Sequence, residues 1–191
     1  MRRKTFDALL TTAGLVLAVV LAVAGGLLTW GSNFVGNQVH DQLAAQKIFF
    51  PPAGSEALPA KEFPTLQQYG GKQVVNGEQA KAFADKYIGA HLQQIGGGKT
   101  YSELSTISRA NPDDAKAKAT VDTVFRGETL RGMLLNAYAF GTMGRIAGIA
   151  SIAAFAGAAV MLVLSLLGMR HLRRTPEDAV LGAPAKVLAT A

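Results

Sequence analysis

The chain of 191 residues contains no cysteine. That excludes a disulfide, a thiol nucleophile and a thiolate metal site. It has only three histidines, so few imidazoles are available for a metal centre. Its middle lacks an excess of either charge, since residues 31–128 hold ten Lys/Arg and ten Asp/Glu. The formal net charge of +6 therefore sits at the ends of the hydrophobic segments, beside Arg2, Arg3 and Lys4, at Arg131 and Arg145, and beside Arg170, Arg173 and Arg174. Basic residues that flank apolar runs report membrane topology, and no basic patch interleaved with aromatics remains for nucleic acid. Proline is missing from Asp113 to Thr175, so nothing there forbids one continuous helix.

What is present is clustered apolar sequence. Leu9 to Trp30 is 22 residues without charge or proline. A hydrocarbon core of about 30 Å needs ~20 such residues at 1.5 Å rise, so the run is long enough to cross it. Gly14, Ala18, Ala22 and Gly26 recur every fourth residue and form a strip for close helix contact. MRRK before the run also suits a secretory signal, and Ala22-Val23-Ala24 offers a cleavage site. The run continues past that site to Trp30, an interfacial anchor type, and is read as an uncleaved anchor with a cytoplasmic amino terminus (residues 1–8).

The stretch 31–131 is expected to form an extracytoplasmic helical domain. Val35, Val39 and Leu43 extend the first helix outward to about Gln46. Pro51-Pro52 ends it, with Phe49 and Phe50 capping a small core. Residues 51–76 hold four of the seven prolines and predict a loop packed on the helices. Asn76 is placed to cap a helix over 77–95 with Phe83, Tyr87, Ile88, His91 and Leu92 inward. Gly96-Gly97-Gly98 stops that helix. GGGKT at 96–100 is not a phosphate loop, because Gln93 stands where its first glycine belongs and the run follows a helix. Thr100 and Glu103 instead form a capping box for a helix to about Arg109, with Leu104 and Ile107 as core contacts. Asn111-Pro112-Asp113-Asp114 reads as the next helix start. Val121, Val124 and Phe125 make its apolar side, and Glu128 pairs with Arg131.

Gly132 to Met169 is apolar except for Asn136 and Arg145. A charge at mid-membrane costs at least ~3 kcal/mol, which puts Arg145 at the outer surface. Residues 132–145 then form an outer-surface helical extension with Asn136 and Tyr138 at the base of the domain. Residues 146–169 form the second span, stopped by the basic run after Met169. Gly144 and Gly148 make a GxxxG pair, and Ala150, Ala154 and Ala158 a second small strip. Residues 170–191 are a cytoplasmic tail, disordered from 175 by composition.

Thr29-Trp30-Gly31, Gln42-Leu43, the run Gly97 to Leu104 and the run Phe125 to Arg131 together carry a family resemblance. The chain resembles small two-span membrane proteins of high-GC Gram-positive bacteria, often labelled aromatic ring-opening dioxygenase. The resemblance spans residues 10–168 and implies two spans with an external domain. Ring cleavage at non-haem iron needs two histidines and a carboxylate on one metal. His40 and His91, with Asp41 or Asp85, are the available set, and no H-x-x-H or H-E-x-x-H spacing supports it. No catalytic residue, metal or cofactor is assigned, and G-x-S-x-G is absent.

The expectation is an all-α membrane protein of two long antiparallel helices, capped by short helices and a Pro-rich loop. It is multi-pass in the plasma membrane, with both termini cytoplasmic. Its expected role is a non-enzymatic envelope scaffold or accessory subunit, in contact with the lipid bilayer. Its partner is a second copy or another membrane protein, through Gly14, Ala18, Ala22, Gly26, Gly144 and Gly148. The competing readings are an oligomeric pore or transport accessory and a metal-dependent extracytoplasmic enzyme. Thr11, Thr12, Ser151 and Ser165 offer sparse hydroxyls for a pore lining.

Overall fold

The computed structural model describes residues 2–176. The tail expected to be disordered lies outside the described residues from 177 on. Regular structure among the described residues is helical: α1 (Arg3–Gln46), α2 (Gly77–Ala82), α3 (Gly89–Gly96), α4 (Tyr101–Ala110) and α5 (Ala115–Leu172). A 3-10 turn covers Pro64–Tyr69 and a π-helical turn joins α2 to α3 over Phe83–Ile88. The chain divides into two units. One comprises residues up to Gly31 and from Ala147 on, and the other is Ser32–Ile146. Both α1 and α5 are long and apolar enough to cross a membrane.

In the first unit, segments of α1 and α5 share a seam of small residues. The shielded positions of α1 include 7, 11, 14, 18, 21, 25 and 28, and those of α5 include 147, 151, 154, 158, 161, 165 and 168. Steps alternate between four and three residues, the 3.5-residue period that keeps one face against a partner helix. A Cβ added at Gly168 would lie 2.6 Å from Thr11 Oγ1, and one at Gly14 would lie 2.6 Å from Ser165 Oγ. One at Gly157 would lie 3.3 Å from Leu21 Cδ1, and one at Gly25 3.0 Å from the Phe155 ring. Side chains at these glycines would push the helices apart. Hydroxyls in the apolar stretches bond backward along their own helices: Thr12 and Thr29 donate to Ala8 and Gly25 carbonyls, both at 2.9 Å, and Ser151 donates to the Gly148 carbonyl at 2.8 Å. The remaining faces are exposed and apolar, with Leu10, Val23, Leu27, Ile149 and Val160 among them and Ile152 70% exposed.

The Ser32–Ile146 unit has its own core. Val39 and Leu43 of α1 meet Phe50, Leu58, Phe63, Leu66 and Val74 from the proline-rich segment, Phe83 and Ala84 from the π turn, and Leu134 of α5. The loop is anchored by backbone bonds, the Phe50 N–H donating to the Lys72 carbonyl at 2.9 Å and the Val74 N–H to Ile48 at 2.9 Å. α1 ends at Gln46, where Lys47 takes a positive φ of 52°. Asn76 caps α2 by accepting from the Gln79 N–H, Gly97 ends α3 with φ 58°, and Thr100 and Glu103 form the capping box of α4.

Four local expectations are corrected. The helix expected over 77–95 widens into a π turn at Phe83–Ile88, and Phe83 and Ala84 are buried in succession there. α5 begins at Ala115, not beside Asn111; Asp114 Oδ1 accepts the Ala117 N–H at 2.9 Å, while Asn111 closes α4 by donating to the Ile107 carbonyl. Ile107 is exposed because α4 buries no residue fully. Phe49 and Phe50 part company: Phe50 enters the core and Phe49, bridged to Gln73, faces out.

Candidate functional site

The chemistry-bearing side chains of the Ser32–Ile146 unit gather where α2, the π turn and α3 lie against α5. The approach is close because glycine faces backbone: a Cβ on Gly77 would stand 3.0 Å from Tyr138 Cα and 3.2 Å from the Ala137 carbonyl oxygen. Opposite it, a Cβ on Gly141 would stand 3.5 Å from Gly77 Cα. A run of charges borders the contact. Glu78 pairs with Arg145; Lys81 Nζ lies 2.8 Å from Asp85 Oδ2; Arg131 reaches Asp85 Oδ1 at 3.2 Å and Glu128 at 3.4 Å. Lys81 Nζ also stands 5.0 Å from the Tyr138 ring centroid. The Arg131 Nε is buried with no hydrogen-bond partner among the described residues.

The π turn carries Asp85 to this junction. Its carboxyl is held below the ordinary carboxylate range, first by the hydrogen bond from Lys81 and also by Arg131, against an opposing push from burial. Lys81 is raised by the same bond. A carboxylate with a depressed folded pKa stabilises above its unfolded value of about 3.9, and that stability is lost as pH falls through the folded value. Asp85→Asn is thus expected to lower the stability at pH 6 by about 1 kcal/mol or less for a part-exposed pair, and to flatten its fall at acid pH. Urea titrations of both forms from pH 6 to 3 check this; parallel curves would count against it.

Several clefts open on this unit. One of about 610 Å³ is lined by Asn37, His40, Asn76, Glu78, Gln79 and Arg145 over Gly36, Gly77 and Gly141. A second of about 610 Å³ holds Asp85, Lys99, Thr100, Glu128 and Arg131. A third of about 530 Å³ is mainly apolar, with Phe34, Met133 and Phe140 beside Gln38, Gln42 and Asn136. Asn136 thus faces a groove, whereas Tyr138 sits under Lys81.

The histidines have separate surroundings. His91 Nδ1 lies 2.8 Å from the Tyr87 carbonyl oxygen, and its ring stacks on Phe63 at 5.9 Å and leans on Tyr87 at 4.5 Å. His40 lines the first cleft from α1, and His171 lies 3.8 Å from Asp7 in the other unit. Among the described residues no three His, Asp or Glu side chains converge to hold a metal ion. The GGGKT amides are occupied: Gly98 donates to the Gln93 carbonyl, Lys99 to Gly96, and Thr100 to Glu103 Oε2 at 2.8 Å. No phosphate cradle remains there.

Of the residues expected to pack in the membrane, Gly14 and Ala18 lie buried in the seam. Ala22 is exposed, and nothing lies within 4 Å of a Cβ on Gly26. Gly148 is half-buried, and Gly144 packs in the other unit, where an added Cβ would lie 3.2 Å from Val35. Thr11, Leu21, Gly25, Ser165 and Gly168 were not among those expected. Their signal is the alternating three-and-four spacing, which a search for every-fourth small residues passes over. Compared with models of protein families, with curated proteins and with solved structures, the chain has no match.

Proposed function

We propose that the protein is an integral membrane protein of the cell envelope that acts as a scaffold or accessory subunit. Its two apolar segments cross the bilayer as an antiparallel hairpin, its ends lie in the cytoplasm and Ser32–Ile146 lies outside. The observation that carries this reading is the pairing of a closely packed, small-residue seam with outward faces built of Leu, Ile and Val. Water does not tolerate an apolar surface of that extent, while lipid covers it without cost. The order of the seam contacts, Thr11 with Gly168 and then Gly14 with Ser165, supports the antiparallel sense. Arg2, Arg3 and Lys4 with Arg170, Arg173 and Arg174 support the orientation.

Ala22 and Gly26 supply the partner contact. They are small, exposed and free of duties in the seam, so another helix can approach there closely. A pore wants hydroxyls free on an open face; Ser151 and Ser165 are buried instead, and the exposed Thr12 hydroxyl donates to the Ala8 carbonyl of its own helix. Native mass spectrometry of the full chain in mild detergent tests the reading. The wild type is expected as a homo-oligomer or with a protein at fixed ratio, and Ala22→Leu/Gly26→Leu is expected to release the monomer. Equal complex size in both would sink it.

A further inference from the structure

We propose that the cleft under Arg145 and His40 is a binding site for a zwitterionic amino-phosphate, the chemistry of a phosphoethanolamine headgroup. Its amides are fixed by their own backbone contacts. Asn76 Oδ1 accepts from the Gln79 N–H at 2.9 Å, and Gln79 Oε1 accepts from the Val75 N–H at 2.9 Å. Both oxygens are thereby committed, so each side chain is left with an NH2 group to donate. Asn37 and the His40 imidazole line the same wall. Arg145 uses Nη2 toward Glu78 Oε1, which leaves the Nε–H and the Nη1 hydrogens as further donors. Such a set of donors recognises phosphate oxygens.

Glu78 makes the site selective. Its carboxylate sits beside the guanidinium, so a plain anion meets a negative neighbour as well as a positive one. A ligand that carries an ammonium group a few bonds from its phosphate satisfies both. Val39, Val75 and the Tyr69 ring give the cleft an apolar side for the linking carbons. Gly36 opens it: nothing lies within 4 Å of a Cβ built there. About 610 Å³ falls in the ordinary range for a small-molecule site.

The ligand chemistry has two sources, a membrane lipid and a free phosphorylated amine. Resting on the membrane reading above, the lipid is favoured, because Arg145 immediately precedes the apolar run from Ile146 and belongs at headgroup depth. The test uses full-length protein in phospholipid-free detergent, with native mass spectrometry after addition of phosphatidylethanolamine, phosphatidylglycerol, phosphatidylcholine or soluble O-phosphoethanolamine. One phosphatidylethanolamine is expected per chain, bound ~10-fold more tightly than phosphatidylglycerol. Arg145→Gln is expected to weaken it ~10-fold or more, and Glu78→Gln to erase the preference over phosphatidylglycerol.

Gly36→Leu fills the mouth of the cleft without touching the charged pair, and its expected loss of binding stands even where Arg145→Gln fails to fold. Equal binding of the two lipids, or unchanged binding in Gly36→Leu, would overturn the proposal. Binding of O-phosphoethanolamine without the lipid supports the cleft chemistry and names the soluble source. Flotation with phosphatidylcholine vesicles separates the two readings. A chain that floats yet shows no headgroup preference loses only this proposal, and a chain that does not float loses the membrane reading.

Discussion

Phe50→Ala is expected to cost the Ser32–Ile146 unit about 3–5 kcal/mol, while Phe49→Ala one residue earlier stays within about 0.5 kcal/mol. Phe50 is 1% exposed and Phe49 54%. The Phe50 ring stacks on Tyr69 with centroids 5.1 Å apart and meets Phe83 edge-on at 5.0 Å. Each such ring pair adds about 0.5–1.5 kcal/mol beyond area burial. Truncation removes both pairs and leaves a cavity among Leu58, Leu66, Val74 and Leu134, which the short loop anchored on both sides cannot collapse to fill. A domain of this size has only about 5–15 kcal/mol in total, so the variant sits near its folding limit. Urea midpoints followed by near-ultraviolet circular dichroism give the difference. Similar midpoints for the two variants would show that Phe50 does not organise this core.

Ala18→Leu is the second change with a large effect. Ala18 is 5% exposed between Gly14 and Leu21 on the seam, so the added carbons of leucine point into the contact with α5. Overpacking costs typically about 1–3 kcal/mol, here by holding the α1 and α5 segments apart. Because the chain has no cysteine, an introduced pair reports the seam without interference. A Cβ on Gly168 would lie 3.5 Å from Thr11 Cβ, within the range a disulfide bridges. Thr11→Cys/Gly168→Cys is expected to cross-link rapidly within one chain under mild oxidant. Adding Ala18→Leu is expected to slow that cross-link, and adding Ala22→Leu is expected to leave it unchanged. No intrachain cross-link in the parent pair would refute the seam. Equal slowing by both leucines would refute the assignment of Ala18 to it.

The contrast between Ala18 and Ala22 shows how far the sequence could be read. An every-fourth-residue strip advances about 400° per step on a helix of 3.6 residues per turn, so it drifts about 40° each time. From Gly14 to Gly26 the drift reaches about 120°. The strip therefore begins on the seam and ends on the outer face, where the partner contact is proposed. The burial pattern 7, 11, 14, 18, 21, 25, 28 stays on one side because its mean step is 3.5 residues. Composition marks the helix as suited to packing, but the partner helix selects the face.

Sequence by itself determined the local events. Lys47 and the prolines behind it end α1, Asn76 caps α2, Gly97 closes α3, and Thr100 with Glu103 opens α4. Each acts through hydrogen bonds or sterics that reach no further than about one helical turn, so neighbouring residues suffice to specify it. The two apolar runs were legible for the same reason, being properties of contiguous residues. Only tertiary structure decided what distant segments do to one another. It buried Phe50 and exposed Ile107, and carried Asp85 on a π turn to Arg131. It also brought His40, Asn76, Glu78 and Arg145 to one cleft from α1, the loop, α2 and α5. Asn76 was legible as a cap, but the chemistry the four share depends on which helix faces meet, and that is set by packing between residues as far apart in the chain as His40 and Arg145 rather than by any neighbour along it.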